Sequence, residues 1–407
     1  QGADQRKTSL SGFLLFHILH DGLAYSNEAG GDRMKIHPTD NSMPPGNSFG
    51  PNSVVVLMSG GVDSSVAVWI LQKQGWNVAG MTMRIPGNAG TAGSKSSPGS
   101  DAAHVARSLG IPHYTAELEE EFRTMVISPF VETYRSGLTP NPCADCNALV
   151  KFGLLWDKIE EVFGPVDLAT GHYALMADRE GERSLGRGRD HGKDQSYFLY
   201  GIHRERLKNL HLPLGGMTKE EVRKLARSAG LPAAERKESM EICFAGEEDY
   251  RKLMEDSPGD PGTIVNEEGS LLGFHKGISN FTIGQRKGLG VASRDGLYVL
   301  RIDPERNIVV AGAREKVFRR GVTAGKVNLL LPGLLYPGAV LYGKTRSRGE
   351  PARCTVLRSG NGEIAVSFDE PQFAPTPGQR LVLYDVDGWV AAGGIIEHGE
   401  EADEWTQ

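Results

Sequence analysis

The chain has four cysteines, and three of them are placed where sulfur chemistry could occur. Cys143 and Cys146 follow a proline-rich turn and lie three residues apart, so both thiols can point to one side. Such a pair can be a redox couple, half of a metal site, or a nucleophile with a helper thiol. Cys243 is the obvious third thiol, whereas Cys354 lies in an apolar β-type run and is predicted to be a core residue. Three thiols can also hold a [4Fe-4S] cluster that keeps one open, reactive iron.

A glycine-rich turn near residue 60 is the second chemical feature. Residues 54–58 are apolar and β-branched, which is typical of a buried parallel strand, and the string SGGVDSS follows at 59–65. A turn of this kind between strand and helix presents backbone N–H groups and the positive end of the helix to an anion. It lacks the Gly-Lys-Ser/Thr ending of a Walker loop, so the sequence predicts a phosphate site of another type.

The surrounding elements alternate between strands and helices. Strands are predicted at 78–83, 111–114 and 166–170, and helices at 101–109 and 118–136. This alternation predicts a doubly wound α/β domain over residues 53–215. A glycine-rich loop is expected from 85 to 100.

The second half of the chain has a different sequence pattern. A capped amphipathic helix at 218–230 marks a linker region, and short apolar runs separated by Gly, Pro and Asn follow beyond residue 259. We predict a central β-rich domain within 216–320 and a second one within 321–407. Residues 1–52 are expected to be disordered or a non-native extension.

Composition and charge exclude several classes of protein. With 407 residues, at about 150 per domain, the chain has material for two or three domains. Four unevenly spread cysteines do not make the disulfide framework of a secreted protein, and they indicate a reducing compartment. The apolar run at 11–19 is too short to span a bilayer. The net charge of -6 does not itself indicate nucleic acid, although a local basic patch can serve on an acidic protein.

The glycine loop resembles the pyrophosphate loop (PP-loop) of the ATP pyrophosphatases, which activate a substrate oxygen by adenylation. Further strings carry a more specific resemblance: TPNPCADCN at 139–147, ATGHY at 169–173, KDQSYFL at 193–199, EICF at 241–244 and FTIGQRKGLG at 281–290. Together they resemble the MnmA family of tRNA-specific 2-thiouridylases. The resemblance implies a PP-loop domain, a central tRNA-binding domain and a C-terminal β-barrel. It also implies ATP-dependent 2-thiolation of the wobble uridine in tRNAs for Lys, Glu and Gln.

The same resemblance implies roles for individual positions. The implied ATP contacts are Leu57, Met58, Ser59, Gly60, Gly61, Val62, Asp63, Ser64, Met83 and Gly171. Ser59 and Ser64 would supply hydroxyl donors, and Asp63 would help to hold Mg²⁺ as part of the catalytic set. Cys146 matches the family's nucleophile and Cys243 its persulfide-bearing cysteine. The implied contacts with the target base and the rest of the tRNA are Asn141, Pro142, Cys143, His172, Lys193, Asp194, Gln195, Arg346, Ser347 and Gln379.

This chain departs from the best-known form of the family at one informative place. That form has Asn-Pro-Asp where this chain has Asn141-Pro142-Cys143, so the chain resembles a subgroup with three active-site cysteines. Two routes for sulfur therefore stay open. In one, Cys243 carries a persulfide and Cys146 resolves it into a disulfide; in the other, Cys143, Cys146 and Cys243 hold a [4Fe-4S] cluster that delivers a bound sulfide.

Other readings and partners complete the set of expectations. The alternatives are another PP-loop enzyme of the synthetase or amidotransferase type, and a non-enzymatic tRNA-binding or iron–sulfur protein.

The expected partners are tRNA and a sulfur donor such as a cysteine desulfurase or a sulfur-relay protein, with no membrane. The expected location is the cytoplasm, and the expected oligomeric state is a monomer. Asp145 is predicted to be a solvated loop carboxylate. A basic face is predicted from Lys344, Arg346, Arg348, Arg353 and Arg358.

Overall fold

The computed structural model describes residues 34–39, 50–86, 100–236, 243–244, 259–291 and 296–400. In chain order, the first part contains β1 (Lys35–Pro38), β2 (Ser53–Leu57), α1 (Val62–Lys73), β3 (Asn77–Arg84), α2 (Ser100–Leu109), β4 (His113–Glu117), α3 (Glu119–Phe122), α4 (Ser128–Arg135), α5 (Pro142–Asp145), α6 (Leu155–Phe163), β5 (Asp167–Thr170), β6 (Ala174–Arg179), β7 (Glu182–Arg187), α7 (Ser196–Leu199), β8 (Leu210–His211) and α8 (Lys219–Ser228). Segments Arg123–Ile127 and Cys146–Leu154 are π-helical. The expected loop at 85–100 lies largely outside the described residues.

The first sheet is doubly wound, as the sequence predicts. Its strand order is β1-β4-β3-β2-β5-β8, and β4, β3, β2, β5 and β8 run parallel. The order reverses at β2, because the chain moves outward to β3 and then crosses to β5 on the other side. In open sheets of this kind ligands bind at the carboxyl ends of the strands beside such a reversal. The glycine-rich turn after β2 lies at this point.

Two features of this part differ from the expectations. Residues 35–38 form β1, which pairs antiparallel with β4, and Thr39 Oγ1 lies 2.8 Å from His113 Nδ1. This short stretch of the segment 1–52 is therefore held by backbone pairing at a sheet edge. The helix α8 packs its buried Val222 and Ala226 with Val62 and Val66 of α1, so it lies with the first sheet and not with the central domain.

The central part is a small β-sheet. It contains β9 (Gly262–Val265), β10 (Leu271–His275), β11 (Tyr298–Asp303) and β12 (Ile308–Gly312) in the order β10-β9-β12-β11. Its core is built from alternating inward residues such as Ile264, Val299 and Val309. The segment FTIGQRKGLG joins β10 to β11 and lies outside the strands.

The last part is a closed barrel. It contains β13 (Phe318–Leu329), β14 (Val340–Lys344), β15 (Ala352–Gly360), β16 (Glu363–Phe373), β17 (Arg380–Tyr384) and β18 (Val390–Glu400), in the order β13-β16-β15-β14-β17-β18. Cys354 is fully buried in its core, as predicted. The C-terminal β-barrel implied by the resemblance is thus confirmed.

Candidate active site

The glycine-rich turn has the geometry of an anion site. Gly60 has a φ of 74° and a Cβ there would lie 2.8 Å from Asp101 Cβ and 2.9 Å from Ala102 N, so only glycine fits. Ser65 Oγ donates to Gly61 O at 2.7 Å, which fixes the turn at the start of α1. Ser59 is exposed beside it. Backbone N–H groups and the helix N-terminus can therefore face a phosphate here.

The structure brings the expected ATP contacts together along one sheet edge. Leu57, the last residue of β2, pairs with Met81 of β3 and Thr170 of β5, so Met83 within β3 and Gly171 directly after β5 lie past the end of β2, on either side of the glycine turn. A Cβ on Gly171 would lie 2.7 Å from both Asp63 C and Ser64 N. The turn and β5 can approach this closely only because position 171 is glycine.

Two cations at the turn were missed by sequence reasoning. Lys219 Nζ donates to both carboxylate oxygens of Asp63 at 2.7 Å, and Tyr173 Oη donates to Oδ1 at 2.8 Å. Arg236 Nη1 donates to Gly60 O at 3.0 Å, and Arg236 also pairs with Asp101 at 2.6 Å. Lys219 is 156 residues from Asp63 in the chain, and no local sequence pattern predicts the contact of Lys219 with Asp63 or that of Arg236 with Gly60.

The cysteine pair begins a short helix. Asn141 caps α5, since its side-chain oxygen accepts from Ala144 N at 3.2 Å, and Pro142 occupies the first turn, where no N–H is needed. Cys143 is exposed and Cys146 is buried at 5% exposure. All four cysteines are free thiols.

Cys243 is subject to the charge of Lys151, as Cys143 and Cys146 are. Its neighbour Phe244 is buried and packs edge-on against Phe122 and Phe130, with ring centroids 5.7 and 5.5 Å apart. Burial raises the pKa of Cys146 to about 12, and loss of water around the sulfur raises the pKa of Cys143 and Cys243, although part of each of these two side chains is exposed. A negative charge on Cys243 would raise the pKa of Cys143 and of Cys146 further.

Lys151 is the cation common to the three thiols. Its charge lowers the pKa of Cys143, Cys146 and Cys243 against the larger effect of burial. It lies on the π-helical segment that starts at Cys146, and its Nζ donates to Asn147 Oδ1 at 3.0 Å. Lys151 lies only five residues after Cys146, and this spacing is the sequence signal that indicates a cation near the cysteine pair.

His172 links the thiols to the nucleotide edge. It follows Gly171, its Nδ1 lies 2.7 Å from Thr170 Oγ1, and its ring centroid is 6.1 Å from that of Phe152. Burial lowers the pKa of His172 well below its usual range, and the charge of Lys151 lowers it further. A neutral His172 therefore lies between the ATP edge and the cysteine helix.

Asp145 is not the solvated carboxylate that was predicted. It pairs with the guanidinium of Arg380, a β17 residue that is 3% exposed and also donates to Gly378 O. Next to it, Gln379 Nε2 donates to Pro140 O at 2.9 Å and Asn141 Nδ2 donates to Gln379 Oε1 at 3.3 Å. The barrel thus holds the cysteine turn directly.

The expected tRNA contacts divide into two groups. Cys143 and Arg346 are exposed, and Lys193, Gln195, Ser347 and Gln379 are half-buried. Asp194 differs from the expectation: its side chain is 1% exposed, its Oδ1 accepts from Gly188 N and Ser196 N, and its other oxygen faces Arg187 and Lys344. Its buried carboxylate therefore fixes the turn formed by Lys193, Asp194 and Gln195.

The predicted basic face is reduced by internal pairing. Lys344 is buried beside Asp194, and Arg353 pairs with Asp369, whereas Arg346 and Arg348 stay exposed. Among the described residues, no group of three or more His, Cys, Asp or Glu side chains is arranged to hold a metal ion. In the same part of the chain, no helix is long and apolar enough to cross a membrane.

This fold defines a nucleotide-binding α/β enzyme with a glycine-rich turn at the carboxyl edge of its sheet, followed by two β-domains. Family models match in the same order: the tRNA methyl transferase HUP domain over residues 52–247, the tRNA methyl transferase PRC-barrel domain over 252–313, and the aminomethyltransferase beta-barrel domain over 339–396. The chain belongs to the MnmA family of tRNA-specific 2-thiouridylases. The family resemblance drawn from the motifs is confirmed; the three-cysteine subgroup stays a prediction.

Curated relatives are similar over most of the chain. The tRNA-specific 2-thiouridylase MnmA 1 of Caldanaerobacter subterraneus subsp. tengcongensis is 43% identical over 358 residues, which cover 85% of this chain and 98% of that protein. The MnmA of Pelobacter propionicus is 44% identical over 351 residues, covering 84% and 97%. The solved U34-tRNA thiolase NcsA from Methanococcus maripaludis, with its [4Fe-4S] cluster, is 17% identical over 52% of this chain and 64% of that chain, with a TM-score of 0.31, too distant to inform the site.

Proposed function

We propose that the protein is an ATP-dependent tRNA-uridine 2-sulfurtransferase that replaces the C2 oxygen of the wobble uridine by sulfur. The observation that carries this proposal is the position of His172. His172 directly follows Gly171, whose backbone lies against Asp63 and Ser64 of the glycine turn, and its ring centroid lies 6.1 Å from that of Phe152, on the π-helical segment that begins at Cys146. His172 therefore connects the proposed nucleotide site with the segment that carries Cys146.

The first step requires activation of the uridine. Its C2 oxygen is a poor leaving group, so this oxygen attacks the α-phosphorus of ATP and pyrophosphate leaves. The glycine turn holds the β- and γ-phosphates through N–H groups, and Lys219 and Arg236 supply positive charge beside them. Carboxylate oxygens suit Mg²⁺, but both oxygens of Asp63 accept from Lys219, so an ion held by Asp63 would have to replace Lys219 Nζ there; it would then neutralise phosphate charge.

The second step transfers sulfur. In the persulfide route, the terminal sulfur on Cys243 attacks C2, the bond to the adenylate oxygen breaks, and AMP leaves. The Cys146 thiolate then attacks Cys243 Sγ, and the electron pair of the broken S–S bond moves to the sulfur on uridine. The product is 2-thiouridine with a Cys146–Cys243 disulfide, which a thiol reductant must reduce. Lys151 stabilises the Cys146 thiolate against burial.

Fewer observations in this chain support the cluster route. Among the described residues no group of three or more His, Cys, Asp or Glu side chains, these three cysteines included, is arranged to hold a metal, so we derive no step through a cluster. Iron and acid-labile sulfide, measured on protein purified and reconstituted without oxygen, decide between the routes. About four irons per chain that are lost in Cys143→Ala would support a cluster, and full activity without iron would support the persulfide.

The test of the function uses the full chain with ATP, Mg²⁺, unmodified tRNA and a persulfide-generating desulfurase. We expect pyrophosphate, AMP and 2-thiouridine in equal amounts, with tRNAs for Lys, Glu and Gln as substrates. Cys146→Ser and Cys243→Ser should abolish thiolation, whereas Cys354→Ala, in the barrel core, should retain it. Pyrophosphate release that depends on an amino acid or a purine monophosphate, and not on tRNA, would overturn the proposal.

The remaining expectations belong to the same proposal. The free thiols fit a reducing compartment, and we propose the cytoplasm. A cysteine desulfurase or sulfur-relay protein is the proposed donor. Arg346, Ser347, Gln379, His172 and Lys193 are proposed to contact tRNA, and binding should weaken with salt because phosphate contacts release counterions.

A further inference from the structure

Two arginines from different parts of the chain stack on one phenylalanine. The Phe373 platform consists of Phe373, Phe318, Arg314 and Arg346. The guanidinium carbons of Arg314 and Arg346 each lie 5.6 Å from the Phe373 ring centroid, and Arg314 lies 5.1 Å from that of Phe318. Phe318 meets Phe373 edge-on at 5.4 Å. Stacking of this kind fixes the plane of a guanidinium while its N–H fork stays available.

Among the described residues, the arginines of the platform have no carboxylate partner. Arg314 and Arg346 are both exposed, and within the described ranges no carboxylate forms an ion pair with either. Other arginines of the barrel do have acidic partners, as Arg353 has Asp369. On a chain with a net charge of -6, two exposed and unneutralised guanidinium groups on one ring favour a negatively charged ligand.

The loop 282–290, whose sequence is TIGQRKGLG, extends this surface. Gly284 has a φ of 84°, and a Cβ there would lie 2.6 Å from Ala374 Cβ and 3.0 Å from Phe373 Cε1, so the loop packs on the platform. Gln285 holds the loop, since its Oε1 accepts from Thr282 N at 3.0 Å and its Nε2 donates to Lys287 O at 2.9 Å. Arg286 and Lys287 are exposed at its tip. Neither has an ion-pair partner among the described residues.

The surface adjoins the cysteine turn. Thr282 Oγ1 accepts from Thr139 Oγ1 at 3.4 Å, and Thr139 N donates to Pro377 O at 2.9 Å. Gly378, with a φ of 90°, comes so close that a Cβ would lie 2.8 Å from Thr139 O. The segment that begins at Phe373 therefore continues to Pro377 and Gly378, which contact Thr139. Thr139 lies four positions before Cys143.

We propose that the Phe373 platform and the loop 282–290 together bind the sugar–phosphate backbone of the RNA strand next to the target base. Arg314, Arg286 and Lys287 are contacts beyond those implied by the family resemblance, and Phe373 is the ring that aligns Arg314 with Arg346. This inference rests on the proposed function, because it assumes a tRNA substrate. An arginine–aromatic surface suits a single-stranded loop, whose phosphates are reached by guanidinium groups and whose unstacked bases meet π-faces.

The test measures the affinity of the full chain for a labelled anticodon stem-loop RNA at several salt concentrations. Arg314→Gln and the pair Arg286→Gln/Lys287→Gln should each weaken binding, by roughly two- to fivefold per exposed ionic contact removed. The slope of log affinity against log salt should fall by about 0.7 to 0.9 per lost phosphate contact. Phe373→Leu keeps an apolar side chain against Phe318 but removes the stacking ring, so it should weaken binding without removing a charge.

Arg306→Gln is the matched control, because Arg306 is an exposed arginine on the β11–β12 turn of the central sheet, beside Asp303. It should leave both affinity and salt slope unchanged. Variants of the platform and loop that bind RNA with the affinity and slope of the parent would overturn this inference while thiolation by the parent stands. A parent chain that binds no tRNA and releases no tRNA-dependent pyrophosphate would instead overturn the proposed function.

Discussion

The pair between Asp145 and Arg380 allows the sharpest test of how the barrel supports the cysteine turn. Asp145→Asn removes the only carboxylate that pairs with Arg380 in the described part of the chain and leaves a guanidinium that is 3% exposed. Burial lowers the pKa of Arg380, but the charge and hydrogen bond of Asp145, together with Tyr200 and Tyr197, raise it above its ordinary value, so the guanidinium stays charged. Leaving a buried charge without its partner costs about 3–5 kcal/mol.

The chain contains a matched control for this pair. Arg227 and Glu235 are 2.7 Å apart, but their side chains are 57% and 75% exposed. Glu235→Gln should therefore reduce the free energy of unfolding by no more than about 1 kcal/mol. The double variant Asp145→Asn/Arg380→Met removes both members of the buried pair, and it should recover most of the stability lost in Asp145→Asn.

Two measurements check this prediction. Urea unfolding gives the loss of stability, and alkylation of Cys146 in native conditions, read by mass spectrometry, reports opening of the turn because this thiol is 5% exposed. A local loss of 3–5 kcal/mol corresponds to an increase in opening of about 100-fold or more, at tenfold per 1.4 kcal/mol. Equal losses in Asp145→Asn and Glu235→Gln, with unchanged Cys146 labelling, would refute the reasoning.

Three further predictions follow from the site. Cys146 and Cys354, each with a pKa raised by burial to about 12, hold their protons at neutral pH, so their thiolate absorbance should be missing at pH 9, which ultraviolet pH titration of the native chain against Cys146→Ser and Cys354→Ala checks. Lys151→Met should slow thiolation by about tenfold or more, with Lys151→Arg retaining most activity, because only the former removes the cation that lowers the thiol pKa values; single-turnover thiolation rates test it. Lys219→Ala should raise the KM for ATP at least tenfold through the loss of a charge-assisted contact at Asp63, and an unchanged KM in pyrophosphate-release kinetics would contradict this.

Local patterns predicted the elements that carry the chemistry. The apolar run, the glycine turn and the helix after it are contiguous in sequence, and they form β2, a tight turn and α1 as expected. The N-cap of α8 is similarly local, since Thr218 and Glu221 form a capping box within four residues. Cys354 in the barrel core was predicted from the apolar alternation of its strand.

The missed features depend on residues that meet only in the folded chain. Arg380 reaches Asp145 across 235 positions, and no periodicity relates them. Asp194 lies in a polar string that resembles a tRNA contact, yet its carboxylate is turned inward by Arg187 and by Lys344 of another strand. The strand β1 has four residues and pairs through its backbone, so its side chains give little signal.

Because the barrel holds the cysteine turn, the contacts of this turn form only after the barrel has been synthesised. Asp145 leaves the ribosome 235 residues before Arg380, which at 5–20 residues per second corresponds to roughly 10–50 s. During that interval the nascent turn lacks the contacts from Arg380 and Gln379, and its thiols are open to oxidants and to stray metal ions. The cysteine turn is therefore completed late, and the Cys146 thiol depends on a reducing environment until the barrel has been made.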